Sequence, residues 1–244
     1  SHSPHAALPL EDVSAPPPPP ALLSALAGST AVGAPALVAS RLVPSAMAVV
    51  VIAYNRPQYL DRALRSIFAH HPGGDAFPVY VSQDGEQPGV ASVIEKHGAR
   101  RLVHPRQQLR LKPGTYLSKF PGYAYLAVHY GWALRTLFEM NGAARPEGGG
   151  HRDGPFQGVI ILEEDIEVAP DFWSYFTHTA PLLEADPSLL CVSAFNDNGQ
   201  NTYRGEPSAL HRSDFFPGLG WLVRRRRRRR RRRLLLLSRR AAAE

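Results

Sequence analysis

Apolar and polar positions fall along this chain in two alternating kinds of block. Ala48-Val-Val-Val-Ile-Ala53 is an unbroken apolar run rich in β-branched residues, which predicts a strand buried on both faces. Tyr54-Asn-Arg-Pro57 reads as the turn that follows, and Pro57 suits the first turn of a helix. Leu60, Ala63, Leu64, Ile67 and Phe68 then recur at helical spacing. The alternation continues, with strands predicted over 77–82, 101–104, 159–162 and 189–194. Helices are predicted over 90–97, 122–140 and 171–183. In the longest of them Leu126, Tyr130, Ala133, Leu134, Leu137 and Phe138 form the apolar stripe.

Strands alternating with helices predict an α/β fold, a mainly parallel sheet with helices on both faces. Ligands of such sheets sit beyond the carboxyl ends of the strands. Three polar clusters fall at that edge: Asn55-Arg56, Gln83-Asp84 and Glu163-Glu164-Asp165.

Composition divides the chain further. Residues 1–46 are rich in Pro, Ala and Ser and include Pro16 to Pro20, which predicts a disordered stem or linker. Within it 21–40 lacks charge, but Pro35, Gly28, Ser29, Thr30 and Gly33 interrupt it. It falls short of the roughly 20 mainly apolar residues that span a bilayer. Any membrane association is expected through an anchor outside this chain. Residues 47–223 form the expected folded domain, and 224–244 a low-complexity basic tail.

The formal net charge of +7 comes from Arg224 to Arg233, ten consecutive arginines. Without them 18 basic residues face 21 acidic ones, a net of −3. The body gives no electrostatic reason to bind nucleic acid, and none is expected as a partner. The decamer is open to three readings: a phosphate-binding or nucleic-acid-binding tail, a retention or sorting signal, or low-complexity sequence unrelated to the domain. The single cysteine, Cys191, permits no internal disulfide.

Three successive carboxylates after a buried strand repel one another unless something positive compensates. A hard divalent cation with oxygen ligands does so, and it also accepts substrate phosphates as ligands. That suits an enzyme cleaving a sugar–diphosphate bond. The alternative is a solvated acidic turn ahead of a helix. Arg56 could equally be a surface turn residue. Asp84 could be a turn former, His129 a core histidine and Lys119 a solvated cation.

Several ordered blocks resemble one family. They are 50–53 with Arg56, Phe77-Pro-Val-Tyr-Val-Ser-Gln-Asp84, Lys119-Phe120, Gly122-Tyr123, and His129-Tyr130 with Trp132-Ala-Leu134. Then come Glu163-Glu-Asp-Ile-Glu-Val-Ala-Pro-Asp-Phe172, 182–189, 191–199 and Asp214-Phe-Phe-Pro-Gly-Leu-Gly-Trp221. Over about 48–223 the chain is similar to the N-acetylglucosaminyltransferase I family. The resemblance implies a GT-A-type Rossmann-like fold, incomplete on its C-terminal side. It also implies a UDP-GlcNAc donor, a Mn²⁺ ion, and a mannose-bearing glycoprotein as acceptor.

Glycosyl transfer to N-glycan mannose in β-1,2 linkage, in the Golgi lumen, is the implied activity. Transfer to O-linked mannose and nucleotide-sugar binding without chemistry remain the alternatives. By the same resemblance Asp165 ligates the metal, Arg56, Asp84 and His129 hold the uridine, Glu163 opens the acidic motif, and Glu164 lies near the ribose. Glu164 stands where the family usually has Asp. After Trp221 the pattern is expected to stop, and the general base to lie in a second half outside this chain. No catalytic residue is assigned within it.

Overall fold

The computed structural model describes residues 40–140, 155–195, 209–216 and 218–225. Residues 39–203 with 213–244 form one compact unit, which carries every helix and strand among the described residues. Residues 1–38 with 204–212 form a second unit, of which 209–212 are described and hold no helix or strand. Residues 141–154 and the block 196–199 lie outside the described residues. So do 1–39 of the expected stem and 226–244 of the expected tail.

Six strands make one sheet: β1 (Met47–Ala53), β2 (Val79–Asp84), β3 (Arg100–His104), β4 (Gly158–Glu163), β5 (Cys191–Ser193) and β6 (Trp221–Arg224). Their order is β3-β2-β1-β4-β6-β5. The first four are parallel, and β6 runs antiparallel to both β4 and β5. The helices are α1 (Pro57–Ala69), α2 (Pro88–His97), α3 (Tyr116–Lys119), α4 (Pro121–Glu139), α5 (Phe172–Thr179) and α6 (Leu182–Ala185). This is the expected α/β architecture, a mainly parallel Rossmann-like sheet.

β1 is buried at all seven positions because both faces are covered. Its alternate residues go to two different cores. Val49, Val51 and Ala53 pack with Leu64, Ile67, Ile94 and Phe176 from α1, α2 and α5. Ala48, Val50 and Ile52 pack with Ala133 and Leu137 of α4, and with Phe156. Proline occupies the first turn of α1, α2 and α4, where its missing N–H costs nothing. Gly98 closes α2 at φ 66°, its N–H reaching back to the last-turn carbonyls.

Three differences from the sequence pattern have plain causes. The helix read over 171–183 is two, because the chain breaks at Ala180-Pro181 before α6 begins. The packed body starts earlier than residue 47, with Leu42 buried in the first core and a 3-10 turn at Pro44–Ala46. The sheet also takes in Trp221–Arg224, so the first residue of the arginine run pairs with Gly158. The Arg225 N–H donates to the Gln157 carbonyl at 2.7 Å.

Leu222 is fully buried in the first core. Leu222→Ala should therefore cost about 2–5 kcal/mol of unfolding free energy. The exposed Leu219, replaced by Ala, should stay within about 0.5 kcal/mol. Urea titration of both variants checks this.

Candidate functional site

The chain leaves β1 on the β2 side and returns at β4 on the other side. That reversal opens a crevice at the carboxyl ends of β1 and β4, the place where such sheets bind ligands. A cleft of about 270 Å³ sits there. Its walls are 52–56 from β1 and the turn after it, Asp84 from β2, and Arg106 from beyond β3. Glu163 and Glu164 close the β4 side. Gly122, Tyr125, Leu126 and His129 form a helical stripe of α4 that covers it.

Register decides which strand residues reach the cleft. Ser82 hydrogen-bonds the imidazole of His129 on α4, so even positions at the end of β2 face that helix. Asp84 shares this face and lines the cleft. Gln83 points the other way, donating to the Gln87 carbonyl and accepting from Arg101. The cluster read as Gln83-Asp84 is therefore split by the pleat.

Each residue of the acidic triplet has its own hydrogen-bond donor. Glu164 is 3% exposed. It accepts from Arg56 Nε at 2.7 Å and from the Tyr54 N–H at 3.0 Å. Arg56 Nη1 donates to Asp165 at 3.0 Å. Glu163 accepts from the Tyr130 hydroxyl at 2.8 Å. The bond to Glu164, reinforced by the nearby negative charges, raises the Arg56 pKa against the lowering effect of its partial burial. Burial, with Glu163 next, pushes the Tyr130 phenol far above its ordinary range, so it remains a donor.

Asp165 is the most open of the three, with about a third of its side chain exposed (36%). Among the described residues no three His, Cys, Asp or Glu side chains converge into a metal cage. The arrangement instead fits a cation that takes one carboxylate from the protein and its remaining oxygens from phosphates and water.

Asp84 is held at both oxygens. His104 Nδ1 lies 2.6 Å from Oδ1, and Arg106 Nη1 donates to Oδ2. The His104 and His129 rings stack with centroids 5.0 Å apart. Burial holds the His129 pKa down to about 4 against the pull of Asp84, and the neighbouring His104 and Arg106 side chains add to the lowering. The imidazole is neutral at pH 7.

Arg56, Asp84, His129, Glu163 and Glu164 thus meet in one cleft, with Asp165 bonded to its Arg56. Lys119 ends α3 exposed and does not line it. Sequence reasoning missed His104, Arg106, Tyr54 and Tyr125. The carboxyl-edge rule applied to β3 would have found the first two, and the 3–4 spacing from Gly122 to His129 would have found Tyr125.

With its folded pKa near 4 and an unfolded value near 6.5, His129 binds more protons when unfolded. Its contribution is fully present above pH 6.5 and lost as pH falls toward 4. Wild type should lose up to about 3 kcal/mol relative to His129→Gln across that window. Denaturant titrations of both proteins from pH 7 to pH 4 measure the difference.

The sequence model of the GNT-I family matches residues 29–229, a span wider at both ends than the blocks 48–223. A similar relative is the Arabidopsis thaliana alpha-1,3-mannosyl-glycoprotein 2-beta-N-acetylglucosaminyltransferase. It is 38% identical over 183 residues, covering 73% of this chain and 37% of the relative. The chain therefore spans little more than a third of that protein's length.

Among solved structures, a mannosyltransferase from Pyrobaculum calidifontis in complex with GDP-Man and Mn²⁺ is 19% identical at a TM-score of 0.38. That match covers 61% of this chain and 35% of the other. Glucosyl-3-phosphoglycerate synthase from Mycobacterium tuberculosis, in complex with Mn²⁺, UDP-Glc and phosphoglyceric acid, is 18% identical, also at 0.38. It covers 68% of this chain and 51% of that one. At these scores neither bears on the site of this chain. The family match spans most of the sequence, and the identity to the plant relative extends over nearly three quarters of it; the chain belongs to the GNT-I family.

Proposed function

We propose that this chain is the nucleotide-sugar-binding part of an enzyme that transfers N-acetylglucosamine from UDP-GlcNAc, in β-1,2 linkage, to a mannose of protein N-glycans. The observation that carries this reading is the meeting of Arg56, Asp84, His129, Glu163 and Glu164 in one cleft at the switch point, with Asp165 at its rim. The mannosyl-glycoprotein acceptor named for the plant relative supports this acceptor.

Asp84, Arg56 and His129 are assigned to the uridine, with Glu164 near the ribose. Asp165 is assigned to a divalent cation, Mn²⁺, a hard ion whose preference for oxygen ligands suits a carboxylate and a diphosphate. Bound there, such a cation would supply Lewis-acid neutralisation of the departing diphosphate. The chain's own residues orient the donor. In the transfer an acceptor hydroxyl oxygen bonds to the anomeric carbon, the bond from that carbon to the β-phosphate oxygen breaks, and its electron pair leaves with UDP. The configuration inverts.

The hydroxyl proton passes to a general base. Asp84, Glu163 and Glu164, the carboxylates that line the described cleft, are each already engaged by donors. The base is assigned to a further part of the enzyme. Residence in the Golgi lumen belongs to this same reading. Among the described residues no helix is long and apolar enough to cross a membrane.

Isothermal titration with UDP and Mn²⁺ tests the proposal. Saturable binding is expected with Mn²⁺ present. Asp165→Asn should weaken it by at least about tenfold, or roughly 1.4 kcal/mol, and should abolish the gain that Mn²⁺ gives. Folded protein that releases no heat at millimolar UDP would refute the reading.

A further inference from the structure

Arg106 is held from several sides in the cleft. Its guanidinium lies between two aromatic rings, 4.4 Å from the Tyr54 centroid and 4.2 Å from that of Tyr125. Its Nη1 donates to Asp84 Oδ2. Its backbone N–H donates to the His104 carbonyl at 2.8 Å, and the Gly85 N–H donates to the same oxygen at 3.1 Å. The Tyr125 hydroxyl in turn accepts from the Leu109 N–H at 3.3 Å, tying the segment after β3 to α4. A surface ion pair requires none of this. Two rings at cation–π distance restrain the guanidinium, and its rigid planar fork passes that restraint to the carboxylate it bonds.

We propose that Arg106 is a positioning residue for base recognition: clamped between Tyr54 and Tyr125, it sets the orientation of the Asp84 carboxylate. This rests on the uridine-binding reading above. Asp84 is 4% exposed, and its two oxygens are each taken once, by His104 and by Arg106. Each carboxylate oxygen has two lone pairs, so one direction on each is left. An ionised carboxylate is an acceptor only. It therefore welcomes the imide N–H of a uracil and repels the ring-nitrogen lone pair that cytosine presents at the same place. If the carboxylate turned, its free lone pairs would lose their aim and the discrimination would fall with the affinity.

The test is isothermal titration of UDP and of CDP, each with Mn²⁺, into wild type, Arg106→Ala, Arg106→Lys and Tyr125→Leu. Thermal melts confirm folding. Wild type should prefer UDP. Arg106→Ala should weaken UDP by about tenfold to a hundredfold, the scale of one charge-assisted hydrogen bond, and should lower the UDP:CDP affinity ratio. Arg106→Lys restores a charge opposite Asp84 but not the stacked plane, so the ratio should stay low. Tyr125→Leu leaves the ion pair but removes one ring, and should lower the ratio too.

Folded variants that keep the wild-type ratio would overturn the proposal. So would full recovery of the ratio in Arg106→Lys, which would reduce Arg106 to a charge. Should Arg106→Ala fail to fold, the lysine and leucine variants decide. Wild type that binds no UDP would instead sink the uridine-binding reading itself, and this inference with it.

Discussion

A carboxylate buried at the parting of β1 and β4 governs how this end of the sheet is built. Glu164 is almost wholly excluded from solvent, and a charge so placed must be paired and hydrogen-bonded. The pairing comes from the other side of the parting, through Arg56 Nε and the Tyr54 N–H. The Glu164 N–H also donates to the Ile52 carbonyl. The turn after β1 and the turn after β4 are thereby held together where the sheet's topology would let them separate. Arg56 is not consumed by this bond. A guanidinium has further donors, and one of them reaches Asp165. The same cation that settles the buried charge thus places the exposed one at the rim.

The two faces of the sheet divide the labour. The face toward α1, α2, α5 and α6 is apolar along β1 and β4, and its polar residues on β2 and β3, Gln83 and Arg101, bond each other. The face toward α4 changes character at its carboxyl edge, where Ser82, Asp84, His104 and Glu163 follow Tyr80, Leu102 and Ile161. Those polar groups are satisfied by one another and by α4, through His129 and Tyr130. Buried networks of this kind are rigid when every member has a partner. Neutral His129 fits that logic, since a cation at that position, close to Arg106, would find no carboxylate of its own.

Much of this was legible beforehand because burial on both faces leaves unbroken apolar runs. β1, β2 and β4 declared themselves in that way, and their polar ends marked the site. What escaped notice was short or depended on neighbours. Three apolar residues, Trp221 to Val223, are too few to announce β6 beside ten arginines. Its direction is set by pairing with β4, which no local pattern encodes. Arg106 follows a strand of mixed character, only its last residue fully buried, and its partners Tyr54 and Tyr125 come from 52 residues before it and 19 after it in sequence. The separation of Asp84 from Gln83 was available in the two-residue period of strands and needed only to be applied.

The unforeseen strand also explains why the acidic end of β4 stays open. A parallel edge strand with two apolar faces needs cover, and β6 gives it, but only from Gly158 to Ile161. The chain enters β6 through Gly220 at φ 64°, a left-handed conformation that suits glycine. A side chain there would sit 3.5 Å from Leu162 Cδ2. The Gly220 carbonyl accepts from the Ala194 N–H at 2.8 Å, so the turn is also tied to the end of β5. Pairing therefore begins one residue below Leu162 on this side. Had β6 started two residues earlier in the ladder, its backbone would have covered the edge of Glu163 and crowded the approach to Asp165. Where the antiparallel strand begins thus fixes how much of the carboxylate cluster a ligand can reach.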